Sequence, residues 1–225
     1  MMLTFSGIDC GGKSTQIELL SHWCQEKNLK YEVIWSRGGY TPGIEFLKNI
    51  IRKDKNYDIQ QKEEYRQKIH NNPRKEKLLL WLSIADMIWY YGVYFRIRNK
   101  KLQFLICDRY IWDSYIDFKL KYPQFQFAEW RVWKLLMHMY LKPSCAFVIE
   151  IPADESMRRS ELKEEPFPET YEQRIVRIEE YQKEIQKAHW NHVIDGMQTK
   201  NQVFKEIMRI IKDENQYYAS TRKFL

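Results

Sequence analysis

The chain has 225 residues, of which 44% are hydrophobic and 30% charged. These proportions exclude a disordered or fibrous protein, and the length suits one globular domain with a sizeable core. The formal net charge of +7 suits a partner with several phosphate groups. Because the basic residues are spread along the chain beside acidic ones and form no block, we expect no nucleic-acid partner.

The N-terminus leads directly into a glycine-rich turn and has no basic segment before it, so we expect no signal peptide. No apolar run approaches the length needed to cross a bilayer. The four cysteines lack metal-ligand spacing and are expected to be reduced thiols. We therefore expect a cytoplasmic protein with no membrane partner.

Short apolar runs alternate with longer helical patterns along the chain. This order predicts an α/β fold in which helices cover both faces of a parallel five-stranded sheet. The predicted strands are residues 1–6, 30–36, 102–107, 144–151 and 191–195. The predicted helices are residues 13–26, 44–53, 75–100, 127–141, 170–189 and 199–212, and residues 213–225 show no strong pattern.

Residues 7–14 have the sequence Gly-Ile-Asp-Cys-Gly-Gly-Lys-Ser, which matches the pattern G-x-x-x-x-G-K-[ST]. They follow the first predicted strand and open the first predicted helix, which is the context that this motif needs. Its glycines let backbone N–H groups and the helix N-terminus surround phosphate oxygens. The motif predicts an ATP site in which Lys13 bridges the β- and γ-phosphates and Ser14 binds Mg²⁺. The other nucleotide-binding residues are predicted to be Gly7, Asp9, Cys10, Gly11, Gly12 and Thr15.

An Asp-Arg-Tyr sequence follows the third predicted strand at residues 108–110. Ligand-binding residues of open α/β sheets lie at the carboxyl ends of strands, so this triplet should face the same crevice as the phosphate loop. Asp108 can hold a metal ion or its water there, and Arg109 can clamp a second phosphate with its planar fork of donors. The same residues could form a surface ion pair, but the nearby phosphate loop favours the functional interpretation.

The order and spacing of several motifs resemble the thymidylate kinase family of nucleoside monophosphate kinases over nearly the whole chain. The sequences Phe-Ser-Gly-Ile-Asp and Gly-Lys-Ser-Thr-Gln are similar to that family's opening, and Asp-Arg-Tyr is a second landmark. Other similar segments are residues 36–45, Ala85-Asp86, residues 149–152, the helix with Arg158 and Arg159, and residues 193–195. The resemblance implies a P-loop nucleotide kinase fold in a single domain, residues 1–225.

The resemblance also implies roles for individual residues. Arg37 and Arg109 would hold the acceptor's phosphate, Asp108 would organise metal and water, and Asp9 would hold the acceptor sugar or position the reacting groups. A mobile lid at residues 158–170 would cover ATP and supply a cation to the transferring phosphoryl group. The candidate lid cations are Arg158, Arg159 and Lys163, and the predicted catalytic residues are Lys13, Arg37, Asp108, Arg109 and Arg159. The family often dimerises through helices, and the aromatic-rich residues 81–95 could supply such a face.

Several positions depart from the family pattern, among them residues 112–118, residues 164–169 of the lid, two positions around Ala85-Asp86 and one in the phosphate loop. Around Ala85-Asp86 the family has an aromatic residue and an arginine that contact thymine, whereas this chain has Ser83 and Met87. Ser83 has no ring to stack on a base, and Met87 cannot donate a hydrogen bond. Cys10 stands where some members have an arginine that assists transfer. The resemblance therefore implies a nucleotide acceptor without fixing thymine as its base.

The leading hypothesis is an ATP-dependent kinase that moves the γ-phosphoryl group to a nucleoside monophosphate, with ATP and Mg²⁺ as cofactors. One alternative takes a nucleoside or another small hydroxyl compound as acceptor, with a general base among Asp9, Asp113 and Asp117. A second alternative is a non-catalytic nucleotide-binding protein. The intact Lys13-Ser14 and Asp108-Arg109 pairs favour an active kinase.

Overall fold

The computed structural model describes residues 1–38, 72–163 and 169–221, with residues 216–221 described for the backbone alone. The predicted helix at residues 44–53 lies outside these ranges. The chain groups into two compact units. The first comprises Met1–Trp35, Arg98–Ile116 and Lys142–Leu225, and the second comprises Ser36–Ile97 and Asp117–Leu141.

The first unit contains a parallel five-stranded sheet in the order β2-β3-β1-β4-β5. Its strands are β1 (Met2–Ser6), β2 (Tyr31–Trp35), β3 (Phe104–Asp108), β4 (Cys145–Glu150) and β5 (His192–Asp195). All five predicted strands and the predicted fold class are confirmed. The chain begins with the central strand β1, then forms β2 and β3 on one side of it and β4 and β5 on the other. Ligands of such sheets bind at the carboxyl end of the strand where the order changes side, which here is β1.

Eight α-helices occur in the described ranges, together with a π turn at Tyr90–Tyr94 and a 3₁₀ turn at Phe127–Glu129. The helices are α1 (Lys13–Glu26), α2 (Pro73–Trp89), α3 (Phe95–Lys101), α4 (Ile111–Lys121), α5 (Arg131–Met139), α6 (Ala153–Leu162), α7 (Tyr171–Gln186) and α8 (Lys200–Thr221).

The sequence patterns did not delimit α4 and α6, and α8 continues past its predicted end at residue 212. The missed start of α6 had a local signal, because Pro152 precedes acidic residues in the first helical turn.

The core of the first unit lies on the apolar face of the sheet. Phe5 of β1 and Phe147 of β4 are both fully buried, and their rings stack with centroids 5.2 Å apart. Leu20 of α1 and Ile207 of α8 belong to the same cluster. The central strands β1, β3 and β4 are buried at nearly every position and rich in apolar residues, as expected for strands of a parallel sheet that are covered on both faces.

The second unit is mainly helical in its described part. Its helix α2 begins with Pro73 after Asn72, whose side chain accepts from the backbone N–H groups of Arg74 and Lys75. At the π turn, a Cβ on Gly92 would lie 3.3 Å from the Cβ of Met139 at the end of α5. The π turn and α5 therefore pack closely.

The helical stretch Pro73–Lys101 is long and apolar enough to cross a membrane by length and composition alone. This corrects the expectation that no apolar run reaches that length. Within its most apolar window, 39% is buried inside the protein. Since core helices of soluble proteins pass the same test, this stretch does not indicate membrane insertion.

We expect the Phe147→Ala substitution to lower the free energy of unfolding by about 3–5 kcal/mol, because it removes a fully buried ring and leaves a cavity beside Phe5. Urea unfolding of the purified protein measures this difference. The control is Leu162→Ala, whose side chain is 74% exposed and whose loss should change stability by about 0.5 kcal/mol or less. Equal losses for both variants would contradict the assigned core.

Candidate active site

The phosphate loop (residues 7–14) joins β1 to α1 in a backbone conformation that its glycines permit. Gly7 has a φ of 131° and Gly12 a φ of 97°, and both values lie where side chains cause strain. Cys10 adopts a φ of 58°. Gly12 is the N-cap of α1, so the predicted order of strand, loop and helix is confirmed. The unpaired N–H groups of the helix start there can bind an anion.

Lys13 is buried in the phosphate loop. Its Nζ donates to the backbone oxygens of Gly7 at 3.0 Å and Ile8 at 2.7 Å. Burial lowers the pKa of Lys13 to about 8, and the nearby Arg109 guanidinium acts in the same direction. The carboxylates of Asp9 and Asp108 oppose that shift without reversing it. The loop therefore holds an ammonium group whose charge is only partly compensated, which is a favourable setting for an anion.

Arg109 lies beside the same loop. Its guanidinium forms an ion pair with Asp9, and Nη1 donates to the backbone oxygen of Gly7 at 3.0 Å. Its backbone has a φ of 71°. Its backbone N–H donates to the backbone oxygen of Phe5 at 2.9 Å, and this bond fixes the turn after β3 to the end of β1. The first unit thus brings together Lys13, Asp9 and Arg109, as expected from their positions at the carboxyl ends of β1 and β3.

Asp108 ends β3 directly opposite Phe5 of β1. Its Oδ1 atom is buried, and no donor among the described residues reaches it. Burial raises the pKa of this carboxyl, while Lys13 and Arg109 act in the opposite direction. A carboxylate oxygen without a protein donor suits Mg²⁺ or an Mg²⁺-bound water. Ser14, predicted as the second metal residue, is exposed at the start of α1, and the described residues contain no group of three or more His, Cys, Asp or Glu side chains that could hold a metal.

A buried carboxylate network lies behind the phosphate loop. Asp113, on the first turn of α4, is 1% exposed. It accepts from Ser6 Oγ at 2.5 Å, the backbone N–H of Tyr110 at 2.9 Å and the Tyr181 hydroxyl at 2.6 Å. Arg109 Nη1 lies 3.5 Å from the same carboxylate. Ser6 and Tyr181 were not identified from the sequence, because no motif marks them and only the tertiary fold brings them to Asp113.

Two predicted lid arginines have different surroundings on α6. Arg159 donates to Glu155 at 2.6 Å, to the backbone oxygen of Gly196 at 2.9 Å and to that of Cys10 at 3.5 Å. Its guanidinium therefore lies against the phosphate loop. Within the described ranges, Arg158 is paired with Glu155, and its side chain is 62% exposed. Lys163 ends this segment, and residues 164–168 of the predicted lid lie outside the described residues.

Arg174, on α7, is connected to the phosphate loop through the hydroxyl of Ser156. It is 1% exposed and donates to the hydroxyl of Ser156, which donates to the backbone oxygen of Asp9 at 2.7 Å. Its Nε donates to the backbone oxygen of Glu169 at 3.1 Å. The segment that follows the predicted lid is thus connected to the phosphate loop through buried hydrogen bonds, which the sequence did not indicate.

The second unit contains Arg37, one of the two arginines predicted for the acceptor's phosphate, and the two positions of the family's thymine contacts. Arg37 forms a bidentate ion pair with Asp117, the carboxylate that was also considered as a general base. The hydroxyl of Ser83 donates to the backbone oxygen of Leu79 at 2.9 Å, within α2. Met87 is fully buried. Neither residue at the positions of the family's thymine contacts therefore presents a polar group or an aromatic face for a base.

We expect Tyr181→Phe to lower the free energy of unfolding by about 1–2 kcal/mol, because the buried Asp113 carboxylate loses a donor while the ring keeps its packing. Thermal or urea unfolding measures the change. Tyr171→Phe serves as the matched control, since Tyr171 is 40% exposed and its hydroxyl reaches Asp154 at the surface. A loss at Tyr181 no larger than that at Tyr171 would contradict the assigned network.

Comparison with known proteins places this site in a family. The family model described as thymidylate kinase matches residues 5–207. The thymidylate kinase of Bartonella henselae is 27% identical over 217 residues, covering 92% of this chain and 93% of that protein. The thymidylate kinase of Thermosipho africanus is 27% identical over 216 residues, covering 94% and 98%.

Solved structures agree with the fold. The crystal structure of thymidylate kinase from Ehrlichia chaffeensis has a TM-score of 0.55 at 22% identity, covering 94% of this chain and 98% of that one. Deoxyadenosine kinase from M. mycoides has a TM-score of 0.59 at 13% identity, covering 95% and 100%. Because the family model matches nearly the whole chain, the protein belongs to the thymidylate kinase family of ATP-dependent nucleotide kinases.

Proposed function

We propose that the protein transfers the γ-phosphoryl group of ATP to the phosphate of a nucleoside monophosphate. The observation that supports this most strongly is the convergence of Lys13, Arg109 and Arg159 on one phosphate loop in the first unit. Three cations around a loop that opens a helix are suited to a polyphosphate and to the charge that develops during its transfer.

On the donor side, the protein's contribution is positioning and electrostatics. Lys13 exchanges its backbone oxygen partners for phosphate oxygens, and Gly12, Ser14 and Thr15 supply N–H groups at the start of α1. The Gly11 N–H, which donates to the backbone oxygen of Ile8 at 3.3 Å, would exchange that partner for a phosphate oxygen. Ser14 would hold Mg²⁺, together with Asp108 acting directly or through an Mg²⁺-bound water. The metal, when bound, would neutralise phosphate charge. Arg159 is the lid cation that the proposal assigns to the transferring group, since its guanidinium already lies against Cys10.

On the acceptor side, Arg37 and Arg109 are the proposed phosphate ligands. Both guanidiniums are paired with carboxylates, Arg37 with Asp117 and Arg109 with Asp9. These carboxylates hold each planar fork in a fixed orientation, so that a phosphate meets preoriented donors. Asp9 then becomes available to the acceptor sugar or to the reacting groups.

We further propose that the acceptor's base is recognised without the family's thymine contacts. The hydroxyl of Ser83 is bonded within its own helix, and Met87 is buried. Because strong selection among bases depends on polar groups that would be left unpaired by the wrong base, their absence favours a broad or different base preference.

The protein should act in the cytoplasm, and association as a homodimer stays a prediction.

Phosphorylation of a nucleoside hydroxyl is the second candidate function. A solved structure with a similar fold is named as a deoxyadenosine kinase. Against this alternative, the Asp113 carboxylate already accepts three hydrogen bonds and is poorly placed to act as a general base. Asp117 is engaged by Arg37 in the same way.

The proposal is tested by a turnover screen of the common nucleoside monophosphates and nucleosides with Mg-ATP. We expect monophosphates to be phosphorylated, with kcat/KM values for deoxythymidylate and at least one other monophosphate within about tenfold of each other, because a pocket without directed polar contacts discriminates weakly. Turnover of nucleosides alone would favour the second candidate function. Tight ATP binding without any transfer would identify a non-catalytic nucleotide-binding protein.

Within this screen, Arg37→Lys is expected to lower kcat/KM for the monophosphate by about 10- to 100-fold, because lysine keeps the charge but loses the bidentate fork. Steady-state kinetics at saturating Mg-ATP give the value. Arg98→Lys is the matched control, since Arg98 is paired with Glu32 on the sheet and has no role in the proposed site. Equal effects of both substitutions would remove Arg37 from the proposal.

Binding of Mg-ATP at pH 8.5 is expected to take up a fraction of a proton through Lys13. With a pKa of about 8, Lys13 is mostly neutral in the free protein at that pH, and phosphate oxygens favour its charged form. Calorimetric titrations in two buffers of different ionisation enthalpy measure the uptake. Lys13→Arg, which stays charged, should show less uptake under the same conditions, and equal uptake by both proteins would contradict this role.

A further inference from the structure

A groove of about 370 Å³ lies between α1 and α8 in the first unit. Its volume is in the range of small-molecule sites. No residue of the phosphate loop lines it. The lining residues are Trp23, Phe204, Lys205, Met208, Arg209 and Lys212.

The floor of the groove is apolar and partly aromatic. Trp23 and Phe204 are half-buried and pack against the core, and Met208 is 8% exposed. The Trp23 indole meets the edge of Phe104 with centroids 5.9 Å apart, which fixes its orientation. Two aromatic side chains with parts of their surfaces open to solvent can stack on a flat ring.

One side of the groove carries three positive charges. Lys205, Arg209 and Lys212 stand at positions i, i+4 and i+7 of α8, so they share a face and span about 10 Å along the helix. All three are exposed. Within the described part of the chain, no carboxylate pairs with any of them, and none belongs to the residues with further contacts. Among the described residues, these three cations thus stand beside an aromatic surface without forming an ion pair of their own.

We propose that this groove is a second, non-catalytic binding site for a nucleoside triphosphate, with the base on Trp23 and Phe204 and the phosphates on Lys205, Arg209 and Lys212. A simple anion would make no use of the apolar floor, and a neutral apolar ligand would leave the cations unpaired. A row of three cations over about 10 Å suits a triphosphate chain better than a single phosphate.

The groove is separate from the donor site. Trp23 lies ten residues after Lys13 on α1, which is about 15 Å along the helix. A nucleotide in the groove therefore cannot reach the phosphate loop with its own phosphates. The proposal goes beyond the proposed function and does not depend on it.

The test separates the two sites with variants. On a Lys13→Ala background, which weakens the phosphate loop, ATP binding without Mg²⁺ is measured by equilibrium dialysis. We expect about one equivalent to bind, and the triple variant Lys205→Glu, Arg209→Glu and Lys212→Glu to weaken it by about 30-fold or more. Binding that survives this triple substitution would belong to the phosphate loop and would overturn the proposal.

A matched control reverses three other exposed cations of the first unit, Lys30, Lys100 and Lys101. This control has the same net charge as the groove variant, so equal weakening by both would show general charge attraction and overturn the proposal. Phe204→Leu keeps an apolar side chain but removes a stacking ring, and we expect it to weaken ATP by about tenfold while leaving inorganic triphosphate unchanged. Inorganic triphosphate that binds as tightly as ATP would also overturn the proposal.

Two further measurements complete the test. Vesicles of anionic phospholipid that bind through the same three cations, with no competition from ATP, would identify a membrane surface as the occupant and overturn the proposal. Phosphoryl transfer by the groove variant at low ATP concentration should equal that of the wild type. Intact transfer with lost groove binding supports the second site independently of the acceptor, whereas a tenfold loss of transfer would contradict the separation of the two sites.

Discussion

The buried carboxylate of Asp113 is the interaction on which the site in the first unit depends. A buried negative charge must be compensated by donors or by a cation, so each donor that the Asp113 carboxylate loses destabilises the folded state. Here the donors come from Ser6 at the end of β1, from the turn that begins α4 and from Tyr181 of α7. Three segments far apart in sequence are therefore fixed at one point behind the phosphate loop. Arg109, next to this point, is positioned as a result.

The positive groups of the site share a second constraint. Lys13, Arg109 and Arg159 each donate to backbone oxygens of the phosphate loop or of the turn after β5. Arg109 is also paired with Asp9 and Arg159 with Glu155. The backbone oxygens around Lys13 compensate its charge only partly, since carbonyl dipoles are weaker partners than phosphate oxygens. Substrate binding can therefore replace existing hydrogen bonds by stronger ones with little reorganisation. Such preorganisation is the main physical source of catalysis in phosphoryl transfer.

The sequence was sufficient for the strands, for α1 and for the position of the glycine-rich loop between β1 and α1, because each of these has a local pattern. Periodicity and apolar runs place the five strands, and the glycine-rich motif lies between β1 and α1 as expected. Ser6, Ser156, Arg174 and Tyr181 could not be identified, since hydrogen bonds between distant segments leave no mark at fixed spacing. The acceptor's base could not be identified either. Ser83 and Met87 indicate which contacts are missing, but a side chain that is absent does not specify what replaces it.

Gly7 limits which substitutions the phosphate loop can accept during evolution. A side chain there would collide with the backbone oxygen of Ile149, so the loop leaves β1 in direct contact with the main chain of β4. Much of the phosphate-binding surface is accordingly built from peptide groups, which every amino-acid sequence supplies. Substitutions elsewhere can accumulate until relatives share only about a quarter of their residues without altering this surface. Substitutions that alter substrate choice are then expected where side chains, and not peptide groups, meet the substrate, which is the side of the site that selects the acceptor.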